Sequence, residues 1–179
     1  MSKICLKKID VAIAQVNTAI KLWMHNEDEI SIHTLICSAY QIINDINIKT
    51  NNAELLYNSE LIKDEHKQGF VKFLKEVYNF SKHADSDTFS EIEFDSQKNI
   101  LFISFCCIGL EKMNIQPDAI RSCFISYYML HFPEYITEKG RNEINLIDQS
   151  QKEIVFQMTR EEYYNLYQIQ WKIAHNKRE

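Results

Sequence analysis

Residues 97–114 read QKNILFISFCCIGLEKMN, and the choice of helix or strand for this run decides the fold. From Ile100 to Leu110 the run is mostly apolar, rich in the β-branched and aromatic side chains that suit a buried strand. A strand reading would pair Ile92–Phe94 with Leu101–Ser104 as a hairpin. Against it stands length, since buried strands usually occupy about 4–8 residues. Leu110–Glu111–Lys112 also carry the pattern on as a helix would. The run therefore predicts a buried helix.

The rest of the chain agrees with that choice. Only three glycines and two prolines occur in 179 residues, too few for the many turns of an all-β or doubly wound fold. Near the N-terminus Leu6, Ile9, Ile13, Val16, Ile20 and Trp23 recur at steps of three and four, one stripe over about five helical turns. After HNEDE, Ser31 is placed to cap a second helix with Ile32, Leu35, Ile36, Ala39, Ile43 and Ile46 on one face. A connection follows, with a short helix expected at Ala53–Tyr57. Asp64 opens a third long helix to about Ala84, and DSDTFSEIEFDS reads as a polar loop. Pro117 sits where the first turn of a helix accepts proline, and Pro133 stops that helix. Ile136 to Gln157 reads as a broken helix. Thr159 with Glu162 three residues later forms a capping box for the last one. The expectation is one all-α domain over residues 1–179, a bundle of five to seven helices. Its core covers about 3–134, with a helical C-terminal part at 135–179.

Composition bounds the function. A net charge of −5 argues against broad capture of duplex nucleic acid or an anionic membrane, while leaving room for a small basic site. Five cysteines without a C-x-x-C pattern read as reduced thiols, and no run of about 18 apolar residues suggests a membrane span. A cytoplasmic setting is expected, with no cofactor. The 19 Tyr and Phe residues (9 and 10) exceed what one small core requires and suggest a homodimer.

Candidate chemistry gathers at the end of the third helix, in Tyr78-Asn79-Phe80-Ser81-Lys82-His83-Ala84-Asp85. Phe70, Phe73, Leu74, Val77 and Phe80 share one sector. His83 falls at the edge of that sector, and Asn79, one turn earlier, lies on the same side. A boundary histidine suits proton transfer, and Asp85 or Asp87 could orient it. The same residues also read as an ordinary helix end, with Lys82 and His83 complementing the dipole. His33 and Cys37, four apart, have a spacing open to metal ligation but more typical of polar packing. His131 and Glu134 bracket Pro133 as part of a chain reversal. Cys106 and Cys107 lie in the apolar run as inert core. Tyr127, Tyr128, Tyr163, Tyr164 and Tyr167 suit either base stacking or a helical core.

The run Tyr78 to His83 resembles the HEPN superfamily of helical proteins, whose members often carry an arginine, a polar residue, three further positions and then histidine. Asn79 and His83 match; Tyr78 stands in the arginine place and departs from the pattern. Over residues 10–134, SIHTLICSAYQIINDI, NFSKHAD and HFPE also resemble segments shared by a group of bacterial proteins, a likeness that names no activity. The HEPN resemblance implies a helical bundle that interacts with RNA or a nucleotide in a bacterial stress, defence or toxin–antitoxin setting. It implies metal-independent ribonuclease chemistry, with His83, Asn79, Lys82 and Tyr78 as site residues across a dimer. His83 would act on the 2′-hydroxyl proton, and Lys82 would supply the cation that Tyr78 does not. The alternatives are a non-catalytic module that binds a protein partner, and a helical metal-dependent enzyme built on His33, His83 and Asp85.

Overall fold

A computed structural model describes residues 4–50, 72, 76–82 and 88–176. Among these residues every regular element is helical, no strand occurs, and no helix is long and apolar enough to cross a membrane. The fold is all-α. Its α-helices are α1 (Lys8–Met24), α2 (Glu29–Lys49), α3 (Gln97–Lys112), α4 (Ala119–His131), α5 (Glu138–Asn145), α6 (Gln149–Gln157) and α7 (Arg160–Asn176). A 3₁₀ turn at Pro133–Tyr135 and a helical stretch at 76–80 complete the described elements. The hairpin alternative is thereby overturned: Leu101–Ser104 lie inside α3, whose 16 residues suit a helix better than a strand. The expected helices at Ala53–Tyr57 and from Asp64 lie largely outside the described residues.

The chain divides into two compact units, Met1–Ala19 with Asp28–Gln116, and Ile20–Glu27 with Pro117–Glu179. The first is organised by α2 and α3. These helices run in the same direction, because His33 meets Asn99 near their starts and Asn47 Nδ2 donates to the Gly109 carbonyl at 3.1 Å near their ends. Ile32, Ile36 and Ile43 on α2 and Phe102, Ile103 and Leu110 on α3 are fully buried. Tyr40 meets Phe102 edge-on at 5.3 Å.

The second unit packs α4 against α7 in antiparallel fashion. Ser126 and Tyr163 share a hydroxyl hydrogen bond of 2.7 Å, and Gln168 Nε2 donates to the Ala119 carbonyl farther along. Trp23, at the end of α1, presents edges to Phe124 and Tyr127, both at 5.6 Å, and Arg160 lies over the indole. Asp118, Thr137, Asp148 and Thr159 each accept backbone N–H groups at a helix start. The capping box is complete, since Glu162 also accepts from the Thr159 N–H at 2.8 Å.

Two local expectations are corrected. Leu6 is 64% exposed and precedes the helix, so the buried stripe of α1 runs instead through Ala12, Val16, Ala19, Ile20 and Trp23. Asp28 rather than Ser31 caps α2: its carboxylate accepts the Ser31 N–H at 2.7 Å, and a carboxylate is a strong acceptor at a helix N-terminus. With glycine scarce, Asn26 and Asn114 take the left-handed conformation (φ 56° and 58°) just past α1 and α3. Asparagine adopts it more readily than other side-chain-bearing residues.

Candidate functional site

Of the residues singled out at the end of the third helix, Tyr78, Asn79 and Lys82 are described, while His83 and Asp85 lie outside the described residues. Val77 is buried, Tyr78 half-buried, and Asn79 and Lys82 exposed. Four residues apart on one helical face, Tyr78 and Lys82 meet, with the ammonium 3.8 Å from the ring centroid. A cation thus rests on the Tyr78 ring. Ser81 turns its hydroxyl back to the Val77 carbonyl at 2.8 Å, closing the last turn.

A second cluster lies on the α2–α3 seam and joins two residues from the sequence reading to two that it missed. His33 and Cys37 project from successive turns of α2, Sγ 3.4 Å from Nε2. The other ring nitrogen of His33, Nδ1, is 2.9 Å from Asn99 Oδ1 on α3. Asn99 Nδ2 in turn donates to the Glu29 carbonyl (3.0 Å) and the Glu29 carboxylate (2.7 Å). Those two acceptors fix the amide orientation, so Asn99 Oδ1 faces the imidazole as an acceptor. His33 must then carry its proton on Nδ1, leaving Nε2 to accept from the Cys37 thiol. Phe94 and Phe102 present ring edges to the imidazole at 5.2 and 5.6 Å.

Burial sets the protonation of this array. His33 is 1% and Cys37 4% exposed. Loss of water lowers the His33 pKa below 6.5, outweighing the Asn99 hydrogen bond that supports the charged form. It pushes the Cys37 thiol up to about 12, against the opposing pull of the Lys82 cation. Lys82 therefore acts on both segments, resting on Tyr78 and lying within electrostatic reach of Cys37. Asn99 stands just before the apolar run, after Gln97 and Lys98, and nothing in the sequence set it apart from the polar start of a predicted buried helix.

With both ring nitrogens engaged, His33 is a polar packing residue of the seam, as its spacing with Cys37 suggested. Among the described residues no group of three His, Cys, Asp or Glu side chains is arranged to hold a metal ion. Cys106 is fully buried, and its thiol is held well above its ordinary pKa by desolvation. His131 returns Nδ1 to the Tyr127 carbonyl at 3.0 Å and stacks on the Tyr127 ring at 3.8 Å, which makes it structural.

The third feature belongs to the second unit. Leu166, Ile169 and Ile173 fall at steps of three and four on α7 and are 38%, 57% and 53% exposed, an apolar ridge turned to water. Beside it runs a groove of about 360 Å³ whose walls include Leu130, Ile147, Ile154, Val155, Met158 and Leu166. Lys152 is the one charged residue among its described lining. Comparison with known proteins finds no matching family model, no matching curated protein and no matching solved structure.

Proposed function

We propose that the chain is a helical interaction module that associates through the α6–α7 face, with a second copy of itself as the partner. The observation that carries this reading is the ridge of Leu166, Ile169 and Ile173 standing beside an apolar groove. Large contiguous apolar surface is unfavourable in water and marks interaction sites. A face with both a ridge and a groove is self-complementary: a two-fold operation sets the ridge of each copy into the groove of the other. Near-absence of charge in the groove matches the centre of an interface. Light scattering tests it. The wild-type protein is expected at twice its 21.2 kDa chain mass, and Ile169→Glu with Ile173→Glu at the single-chain mass. A wild-type protein that stays at the single-chain mass at high concentration refutes the reading.

A second reading, interaction with RNA or a nucleotide in a HEPN-like manner, is favoured by one observation. Lys82 brings its ammonium to Tyr78, so positive charge is restored at the place where the motif carries arginine. An exposed lysine beside an aromatic ring suits a phosphate and base pair of contacts. Salt-sensitive binding of unstructured RNA that Lys82→Ala weakens, and cleavage that Tyr78→Arg raises, would support it. Absence of RNA binding at low salt removes it.

A further inference from the structure

We propose that the groove lined by α6 and α7 also takes an unbranched monocarboxylate of about 8–12 carbons, and that this ligand displaces the second copy from the same face. The displacement rests on the association reading, in which the ridge of one copy enters the groove of the other. Leu166 is exposed on the ridge and also forms part of the groove wall, so a chain lying against it fills the place that the partner's ridge would enter. Polar and apolar lining residues are set apart along the two helices. Val155 and Met158 stand at the end of α6, and Tyr163, just past the connection, commits its hydroxyl to Ser126 at 2.7 Å. Gln151 and Lys152 come from the start of α6, and Gln170 from the far half of α7. Apolar walls with a few polar groups that fix orientation are the make-up of a small-molecule site.

Size and charge choose the ligand. The groove, about 360 Å³, is at the small end of ligand sites. Nine residues long, α6 spans about 13 Å at the helical rise, the extended length of a chain of about ten carbons. Lys152, the one charged residue of the described lining, is a point charge that suits a monoanion. The side-chain amides of Gln151 and Gln170 are of the type that donates to a carboxylate oxygen. A phosphate carries more charge than one lysine balances and is best held by arginine, which the described lining lacks. Asp148 lies within electrostatic reach of Lys152 but is turned to the start of its own helix, where Oδ1 accepts from the Ser150 N–H at 2.8 Å and the Ser150 hydroxyl at 2.5 Å. A ligand that binds the separate chain draws the dimer apart by mass action.

The test titrates decanoate into the full chain by calorimetry and follows mass by light scattering. Ile169→Ser with Ile173→Ser shortens the ridge without adding charge and leaves the groove lining intact, so binding is read there without the dimer. One decanoate per chain is expected, with affinity rising about two- to fourfold for each methylene added from octanoate. Val155→Trp, which fills the groove, should lower affinity at least about tenfold. Lys152→Gln should weaken decanoate at least about threefold and leave decanol unchanged. In the wild type, saturating decanoate should move the mass from two chains to one. Absence of saturable binding, or undiminished binding in a folded Val155→Trp variant, overturns the site. Should that variant fail to fold, Lys152→Gln decides, since unchanged decanoate affinity there overturns the carboxylate assignment. A dimer that persists under saturating decanoate overturns the displacement. A wild-type protein that is a single chain throughout refutes the association reading and the displacement with it, and the calorimetry on that same chain still decides the ligand site.

Discussion

Along the α2–α3 seam, His33 and Asn99 are shut away from water with hydrogen-bond partners supplied by Cys37 and Glu29. Along α6–α7, Ile154, Ile169 and Ile173 each leave more than half of their surface in water. The two regions meet opposite physical demands. A buried polar group must find its partner inside the fold, because leaving it without one costs about 1–3 kcal/mol. An exposed apolar group gains nothing inside the fold and is stabilised only when something covers it. The seam is therefore closed by its own residues, and the α6–α7 face is left open to association.

The largest expected contrast sets Phe102 against Ile169. Phe102→Ala should cost about 3–5 kcal/mol by urea unfolding, because the fully buried ring leaves a cavity between α2 and α3. Ile169→Ala should change the stability of the separate chain by less than about 0.5 kcal/mol. Comparable losses at the two positions would break the distinction between closed seam and open face.

Asn99 sharpens the polar side of the comparison. Asn99→Leu removes the acceptor for His33 Nδ1 and the donor to Glu29, and should cost about 1–3 kcal/mol. In a double-mutant cycle, His33→Phe should recover part of that loss, since the stranded N–H is gone. Additive losses would mean that the two residues do not act together.

Protonation gives a broader and shallower effect. Burial lowers the pKa of both His33 and His131, so the unfolded chain binds more protons than the folded one as pH falls below 6.5. Their contribution is complete above that pH and is lost on acidification. Cys37 and Cys123 are raised from 9.0 to about 12, so above pH 9 the unfolded thiols ionise and the folded ones do not, and stability falls again. Thermal melts should show a plateau between about pH 6.5 and 9. His33→Phe should shallow the acid limb, and a melting temperature still rising toward pH 5 would contradict the assignment. A local loss closes the series: Thr159→Ala should cost about 1 kcal/mol through the lost capping box at α7.

Much of this architecture was legible because helices announce themselves locally. The Thr159 capping box, the stop at Pro133 and the length of the 97–114 run each rest on near neighbours in sequence, and each is found where expected. Asn99 was not legible as the partner of His33, nor as the donor to Glu29, because it is brought to both by the parallel packing of α2 and α3. No spacing within either segment encodes that register. The open face of α7 was hidden for a related reason: a stripe at helical spacing reads as core, and only the packing reveals that Ile169 and Ile173 face water while Tyr163 faces inward. The polar cluster at Tyr78–Asp85 was visible as a cluster, and its described part shows Lys82 turned back onto Tyr78.

Hydrogen–deuterium exchange followed as a function of protein concentration tests the central claim most directly, because it reads both regions in one sample. The amides of α3 should exchange at the same rate at every concentration, as expected for a seam closed within the chain. Those of α6 and α7, residues 149–176, should become more protected as concentration rises and copies cover the ridge and groove. Exchange in 149–176 that does not vary with concentration, in a sample that does not associate, would contradict the account.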